Sequence, residues 1–228
     1  MGLETGVITI VALGVGVPLL ASWRARLLDL GKPSIIAMAV GASLLVLTLI
    51  IQPLLYRLPA HAGVFVTGWA LLAYMALVSG LLQEGLKLSV VTKGFESRAA
   101  ALGFGFGAAE VFLVVIPSLL VAGRLGAPVS LGPAGGLGWE AFLLSSWERL
   151  NATFFHIFTS MLLARPAPRP LFRWLSLGLL HAGVNFSAMV AVRFFGVVDP
   201  NPLLVFYAAF TLLDIFLATK AVRGRDGG

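Results

Sequence analysis

Long runs of apolar residues, separated by short polar segments, make up most of the chain. In a window of about 19 residues, the runs cover residues 3–22, 34–52, 62–91, 99–121, 139–164, 172–192 and 202–220. A helix needs about 20 apolar residues to cross the hydrocarbon core of a membrane. The pattern therefore predicts an all-α fold, a polytopic membrane bundle of about seven transmembrane helices. The third run exceeds one perpendicular span, which indicates a tilted or shorter helix.

Composition supports the same class of protein. Of 228 residues, 59% are hydrophobic and 11% are charged, whereas soluble domains have about 25% charged residues. The length predicts a single integral membrane domain over residues 1–228. Cysteine is absent, which excludes a disulfide framework, a thiolate metal site and a cysteine nucleophile. The first residues carry Glu4 and no basic segment, so we expect no cleaved signal peptide.

The charged residues lie mostly between the apolar runs and alternate from loop to loop. Alternate loops hold three cations, Arg57, Arg124 and Arg193, and the other loops hold eleven, Arg24, Arg26, Lys32, Lys93, Arg98, Arg165, Arg169, Arg173, Lys220, Arg223 and Arg225. Because cytoplasmic loops are enriched in Lys and Arg, we predict an external N-terminus and a cytoplasmic C-terminus. We therefore attribute the net charge of +6 to the orientation of the chain in the membrane and to contact with membrane lipid. We expect no nucleic-acid partner.

Four ionisable residues interrupt the apolar runs, namely Glu84, Glu110, His156 and His181. An ionisable side chain at the centre of a membrane helix costs about 2.5–3.5 kcal/mol or more, so it marks a functional site by default. Each lies about eight to eleven residues from the predicted cytoplasmic end of its helix, where Lys93, Arg98, Arg165 and Arg173 lie. At about 1.5 Å per residue, all four reach a depth of roughly 12–17 Å. They are therefore predicted to form one intramembrane centre.

Local spacing extends this centre. Glu84 and Lys87 are three residues apart, and His181 and Asn185 are four apart, so each pair shares a helix face. The fifth run carries a polar stripe, with Glu148 preceding its first member, at Arg149, Thr153, His156 and Ser160. Glycines precede Glu110 at Gly103, Gly105 and Gly107. Small residues at this spacing allow close helix packing, which would press Glu110 against its neighbours.

The residues fall into four motifs, QEGLK (83–87), FGAAE (106–110), ERLNATFFH (148–156) and HAGVN (181–185). This order resembles the YhfC-like and PrsW-like intramembrane proteases, which belong to the wider group of CAAX prenyl endopeptidases. Their shared pattern is EExxK/R, Fxxx(E/H), His and Hxxx(N/D). The resemblance covers a catalytic-like core of about residues 80–190. It implies an intramembrane endopeptidase of a prokaryotic inner membrane, acting on a peptide or a transmembrane segment.

The resemblance and the chemistry of peptide hydrolysis suggest a role for each residue. Glu84 would be the main base, and Glu110 would hold the water. By resemblance, His181 and Asn185 would donate hydrogen bonds to the oxyanion. His156, the fifth predicted catalytic residue, would orient a glutamate or serve as a third ligand or donor. The supporting residues are Lys87, which would position Glu84, and Phe106, Glu148 and Arg149. One position departs from the family pattern, because Gln83 replaces the first glutamate of the pair.

Several alternatives use the same residues. No cofactor is favoured, but Glu84, Glu110, His156 and His181 would also suit tetrahedral zinc; the HExxH motif is absent. A non-catalytic scaffold, like the seven-span scaffold subunit of gamma-secretase, could bind a partner helix through the same centre. A transporter or proton relay is less favoured, because the polar residues cluster at one depth and no inverted repeat is visible.

Overall fold

The fold was described from a computed structural model, which describes residues 3–64, 66–117, 139–166, 168–194 and 201–223. These residues form helices and contain no strand. The α-helices are α1 (Leu3–Val11), α2 (Val17–Arg24), α3 (Lys32–His61), α4 (Gly68–Val90), α5 (Ala99–Glu110), α6 (Trp139–Leu163), α7 (Pro170–Phe194) and α8 (Asn201–Arg223). Short π-helical turns join α1 to α2 and extend α5. The all-α prediction is confirmed.

Among the described residues, five helical stretches are long and apolar enough to cross a membrane, Glu4–Arg24, Lys32–His61, Gly68–Val115, Pro170–Ala191 and Leu203–Arg223. The third of them contains both α4 and α5, which meet at a kink where Gly94 has a φ of 112°. Helix α6 is not among the five, and it carries the polar stripe. The chain is thus a membrane protein with several apolar helices. The count of seven spans and the orientation stay predictions.

The helix ends differ from the predicted runs most clearly at α3. The apolar run ends at residue 52, but α3 continues to His61 through Pro53 and Pro59. His61 is the last residue of this helix, and its Nδ1 lies 2.8 Å from the carbonyl oxygen of Arg57. The next helix begins only at Gly68, whose φ of 59° is left-handed. The predicted glycine- and proline-rich external loop, 123–138, lies outside the described residues.

Close backbone contacts hold the central helices together. A Cβ added to Gly41 of α3 would lie 2.0 Å from the carbonyl oxygen of Leu102 in α5, and one added to Gly103 would lie 2.2 Å from that of His156 in α6. Since real Cβ atoms do not approach this closely, glycine is required at both contacts. The prediction that glycines press the segment before Glu110 against its neighbours is confirmed. Ten residues of α5 are buried, so this helix forms the centre of the bundle.

Helices α4 and α7 meet in the same way at Gly80. A Cβ there would lie 2.4 Å from the carbonyl oxygen of Gly178. We expect Gly80→Ala to destabilise the protein by about 1–3 kcal/mol, because the two backbones must separate. The matched control is Gly183→Ala in α7, where an added Cβ meets nothing within 4 Å; there the gain in helix propensity of about 0.5–1 kcal/mol should dominate. Unfolding in detergent measures both, and equal stability of the two variants would contradict the packing argument.

Candidate functional site

The four ionisable residues identified in the sequence come from four different helices, with Glu84 on α4, Glu110 on α5, His156 on α6 and His181 on α7. They form two carboxylate–imidazole pairs. Glu84 Oε1 lies 2.8 Å from His181 Nδ1, and Glu110 Oε2 lies 3.4 Å from His156 Nε2. The two imidazole rings lie 5.4 Å apart between their centroids, at a steep angle. The structure thus brings all four residues into one cluster.

Glu84 is the most enclosed member of the cluster, with none of its side chain exposed. Besides His181, its Oε1 lies 2.7 Å from the Nζ of Lys87, and the Thr159 hydroxyl lies 3.4 Å away. Its Oε2 is buried without a hydrogen-bond partner among the described residues. A buried carboxylate persists in ionised form only with such partners, so Lys87 and His181 account for the position of Glu84.

Lys87 connects the two pairs. Its ammonium donates to Thr159 Oγ1 at 2.8 Å and lies 3.3 Å from His156 Nδ1. The ammonium can only donate, so Nδ1 of His156 accepts and its Nε2–H is left to donate to Glu110. This partner set assigns the tautomer of His156. Phe106, the predicted supporting aromatic residue, stacks near the His156 ring at 4.6 Å between centroids, and Lys87 Nζ lies 5.6 Å from its centroid.

Arg149 closes the other side of the cluster. Its Nη1 lies 3.2 Å from Glu110 Oε1, and its Nη2 forms a short ion pair with Glu148. The predicted supporting pair of Glu148 and Arg149 is therefore joined to the centre through Glu110. Because Arg149 has two acidic partners, loss of either one leaves it paired.

A cavity of about 190 Å³ adjoins the cluster. Glu110, His156, His181 and Asn185 lie on its wall, together with the aromatic rings of Phe155, Phe206 and Phe210. Glu84 and Lys87 are not part of this wall, and they lie behind His181 and His156. Ten of the nineteen residues on the wall are polar or charged, so the cavity has convergent polar groups of the kind that orient a ligand or substrate.

The side chains of Asn185 and Gln83 both contact the hydroxyl group of Ser79. The side-chain amides of both donate to Ser79 Oγ, from 3.0 Å for Asn185 and 2.9 Å for Gln83. Asn185 thus lies on the cavity wall beside His181, as their shared helix face predicted. The amide of Gln83 is used in this hydrogen bond and carries no charge, so the first position of the QEGLK motif supplies no second carboxylate.

Thr159 and Ser79, which accept or donate hydrogen bonds within the site, were not identified in the sequence. Thr159 lies three residues after His156, a spacing that places it on the same face of α6, whereas Ser79 has no distinguishing signal. Two members of the predicted stripe lie away from the cluster. Thr153 donates to the carbonyl oxygen of Gly14 at 2.7 Å, and the buried Ser160 hydroxyl has no partner among the described residues.

Glu84, His156 and His181 each offer a ligand atom, and these atoms all lie within 4.8 Å of one another. Two imidazoles and a carboxylate are a suitable donor set for zinc, and the unpartnered Oε2 of Glu84 would accept a cation. The Lys87 ammonium, however, already lies against Glu84 Oε1 and His156 Nδ1. Glu110, the fourth predicted zinc ligand, is not part of this group of donors.

Comparison with known proteins adds no assignment, because no family and no curated protein matches the chain.

Proposed function

We propose that the chain is an intramembrane endopeptidase that hydrolyses a peptide bond with an activated water. The observation that carries this proposal is the meeting of two carboxylate–imidazole pairs, 5.4 Å apart between ring centroids. Three of their four members, Glu110, His156 and His181, line a cavity in an apolar helix bundle. Paired acids and bases at one point are what proton transfer to and from a reacting group requires. The resemblance of the four motifs to the YhfC-like and PrsW-like proteases supports the same reaction class.

In the proposed reaction, Glu110 accepts a proton from a water in the cavity. The water oxygen forms a bond to the carbonyl carbon of the substrate, and the negative charge moves to the carbonyl oxygen. Asn185 and His181 donate hydrogen bonds to this oxyanion. The carbon–nitrogen bond then breaks as the proton passes to the leaving nitrogen. Glu110 is favoured over Glu84 as the base in contact with water, because Glu110 lines the cavity.

Glu84 acts through His181 in this scheme. The Nδ1–H of His181 donates to the Glu84 carboxylate, so Nε2 can donate to the oxyanion only when the ring carries both protons. In this scheme His181 therefore acts as an imidazolium held by Glu84. Lys87 holds Glu84 and His156 at the same time, so it orients both pairs. Glu84, Lys87 and His156 are therefore positioning residues in the proposal. His156 orients the Glu110 carboxylate.

The metal-free reaction is favoured over a zinc-dependent one. A zinc ion among Glu84, His156 and His181 would lie close to the Lys87 ammonium, and two cations at such a distance repel strongly in a medium of low dielectric. Zinc would supply a bound hydroxide and polarise the carbonyl if Lys87 moved away or lost its proton.

The proposed topology has seven spans, with α6 crossing as a polar helix shielded by its neighbours, an external N-terminus and a cytoplasmic C-terminus in a prokaryotic inner membrane. The charge asymmetry of the loops supports this orientation. The site then lies about half-way across the bilayer. Substrates that are single-span helices or lipid-anchored tails would reach it from the cytoplasm or through the bilayer.

The test is cleavage of single-span peptides by the purified chain in proteoliposomes. We expect products that persist in a strong chelator, and we expect Asn185→Ala to lower kcat by about 10²–10³ with little change in KM, because an oxyanion donor acts mainly in the transition state. Activity lost to the chelator and restored by zinc would contradict the metal-free version. Unchanged kcat in Asn185→Ala would contradict the assigned role of Asn185.

A second candidate is a non-catalytic scaffold that binds a partner helix. The complete burial of Glu84 and Lys87 favours it, because a fully enclosed ion pair can serve to fix helix register alone. The uncharged Gln83 is consistent with this reading. Under this alternative, substitutions in the centre reduce stability or partner binding, and no peptide is cleaved by the unmodified chain.

A further inference from the structure

A second cavity lies apart from the carboxylate–imidazole cluster and has a different character. Its volume is about 710 Å³, within the range of about 300–1,000 Å³ that is usual for ligand sites. It is enclosed by the segment after α2, the beginning of α5 and the end of α6. Its charged and aromatic wall consists of Trp23, Arg26, Asp29, Glu96, Arg98 and Arg165. None of the proposed catalytic residues belongs to it.

Arg98 is incompletely satisfied in this cavity. Its Nη2 lies 3.8 Å from Asp29 Oδ2, which is longer than a hydrogen bond. Its Nη1 donates to the carbonyl oxygen of Ser97 at 3.2 Å, and its Nε is buried without a hydrogen-bond partner among the described residues. A planar guanidinium with donors to spare is suited to the bidentate binding of a phosphate group.

The other two arginines at this cavity, Arg26 and Arg165, are positioned by a backbone conformation and by a hydrogen bond to a backbone carbonyl. Arg26 has a φ of 56° and is the one described residue besides glycine in the left-handed region. Strain of this kind is concentrated at ligand sites and active sites. Arg165 donates from Nη2 to the carbonyl oxygen of Ala221 at 2.9 Å, which fixes its guanidinium at the edge of the cavity.

Two carboxylates share the wall with the three arginines. Hydrogen bonds from the Ser34 side chain and the Gly31 backbone hold the pKa of Asp29 below its usual value, so this carboxylate is ionised at neutral pH. Glu96 is the second. A simple anion would be attracted by the arginines and repelled by the acids. A ligand with adjacent phosphate and ammonium groups matches both kinds of residue, because its phosphate attracts the arginines and its ammonium attracts the carboxylates.

We propose that this cavity binds the headgroup of a phospholipid that carries a primary ammonium beside its phosphate, such as phosphatidylethanolamine. The phosphate faces Arg26, Arg98 and Arg165, and the ammonium faces Asp29 and Glu96. Apolar side chains on the wall, including Leu27 and Met161, continue toward the acyl chains. Trp23 is 51% exposed, as is typical of an aromatic residue at the membrane interface. The inference is independent of the proposed proteolysis.

The test is the retention of short-chain lipids by the purified chain, measured by native mass spectrometry. We expect stronger retention of phosphatidylethanolamine than of phosphatidylglycerol, and much weaker binding of free glycerophosphoethanolamine. Arg98→Gln should weaken phosphatidylethanolamine binding by roughly tenfold, the usual effect of a lost charged hydrogen bond. The matched control is Arg57→Gln, an exposed arginine on α3 outside the cavity, which should leave retention unchanged.

A second variant separates the inference from simple misfolding. Asp29→Asn removes a partner of the ammonium and keeps all three arginines, so the preference for phosphatidylethanolamine over phosphatidylglycerol should fall while phosphatidylglycerol is still retained. Equal retention of the two lipids by the unmodified chain, or equal binding by Arg98→Gln and Arg57→Gln, would overturn the proposal. Free glycerophosphoethanolamine bound as tightly as the lipid would overturn the membrane source and identify a soluble ligand.

Discussion

Replacing Glu84 by glutamine is expected to destabilise the protein by about 3–5 kcal/mol. The substitution removes the carboxylate that lies 2.7 Å from Lys87 in a fully buried pair. It leaves an ammonium enclosed among Thr159, His156 and an uncharged amide, and breaking a buried ion pair at one partner costs about this much. The measurement is the free energy of unfolding in mixed detergent micelles.

The matched variant removes both charges. Glu84→Gln combined with Lys87→Met should recover most of the lost stability, because no uncompensated charge remains and the methionine fills a similar volume. If Glu84→Gln alone were as stable as the unmodified chain, the carboxylate and the ammonium would not form the pair described. The single variant is therefore a poor discriminator between an enzyme and a scaffold, since both lose stability. The double variant discriminates better between the two, because it should fold, and an enzyme would then lose turnover without losing stability.

Replacing Glu110 by glutamine is expected to lower kcat by about 10²–10⁴, the usual contribution of a general base, with only a small change in stability. Glu110 lines the cavity, and its side chain is 24% exposed. Its loss leaves Arg149 paired with Glu148. The measurement is the rate of peptide cleavage in proteoliposomes beside the unfolding free energy of the same preparation.

Glu148→Gln is the matched control for this prediction. Glu148 shares Arg149 with Glu110, so both variants remove one of the two carboxylates around the same guanidinium. We expect Glu148→Gln to retain most of the activity, because the contact with His156 is made by Glu110 alone of the two. Equal loss of activity in the two variants would show that the charge on Arg149 matters and that Glu110 is not the base.

Much of the fold follows from hydropathy, since each predicted apolar run overlaps a helix among the described residues. Helix ends were predicted less well. Helix α3 continues past Pro53 and Pro59, as prolines are tolerated in the helices of membrane proteins, where other groups satisfy the freed backbone carbonyls. The boundary between α4 and α5 was predicted by the gap between the runs 62–91 and 99–121. The kink at Gly94, which needs the left-handed conformation that glycine allows, is not visible in the hydropathy pattern.

The members of the site were predictable because ionisable side chains are rare in apolar helices. The pairing of Glu84 with Lys87 followed from their spacing of three residues, and the shared helix face of His181 and Asn185 followed from a spacing of four. Which carboxylate lines the cavity depends on the rotation of each helix about its axis, and local spacing does not determine that. Thr159 and Ser79 were not predicted, because a hydroxyl group in an apolar helix carries no strong signal.

The glycine contacts have a mechanical consequence. The helices that carry the four site residues are joined pairwise at backbone distance, α4 to α7 at Gly80 and α5 to α6 at Gly103. These contacts are made by backbone atoms and not by side chains that can change rotamer. Each pair of helices, α4 with α7 and α5 with α6, is therefore a rigid unit. Helix α8 has no glycine and borders the cavity through Phe206 and Phe210. Because α8 meets the cavity through side chains and not through backbone, we expect a bulky substrate to be accommodated by rotamer changes of these two rings. The backbone contacts of the other helices would keep the acids and imidazoles at their spacing.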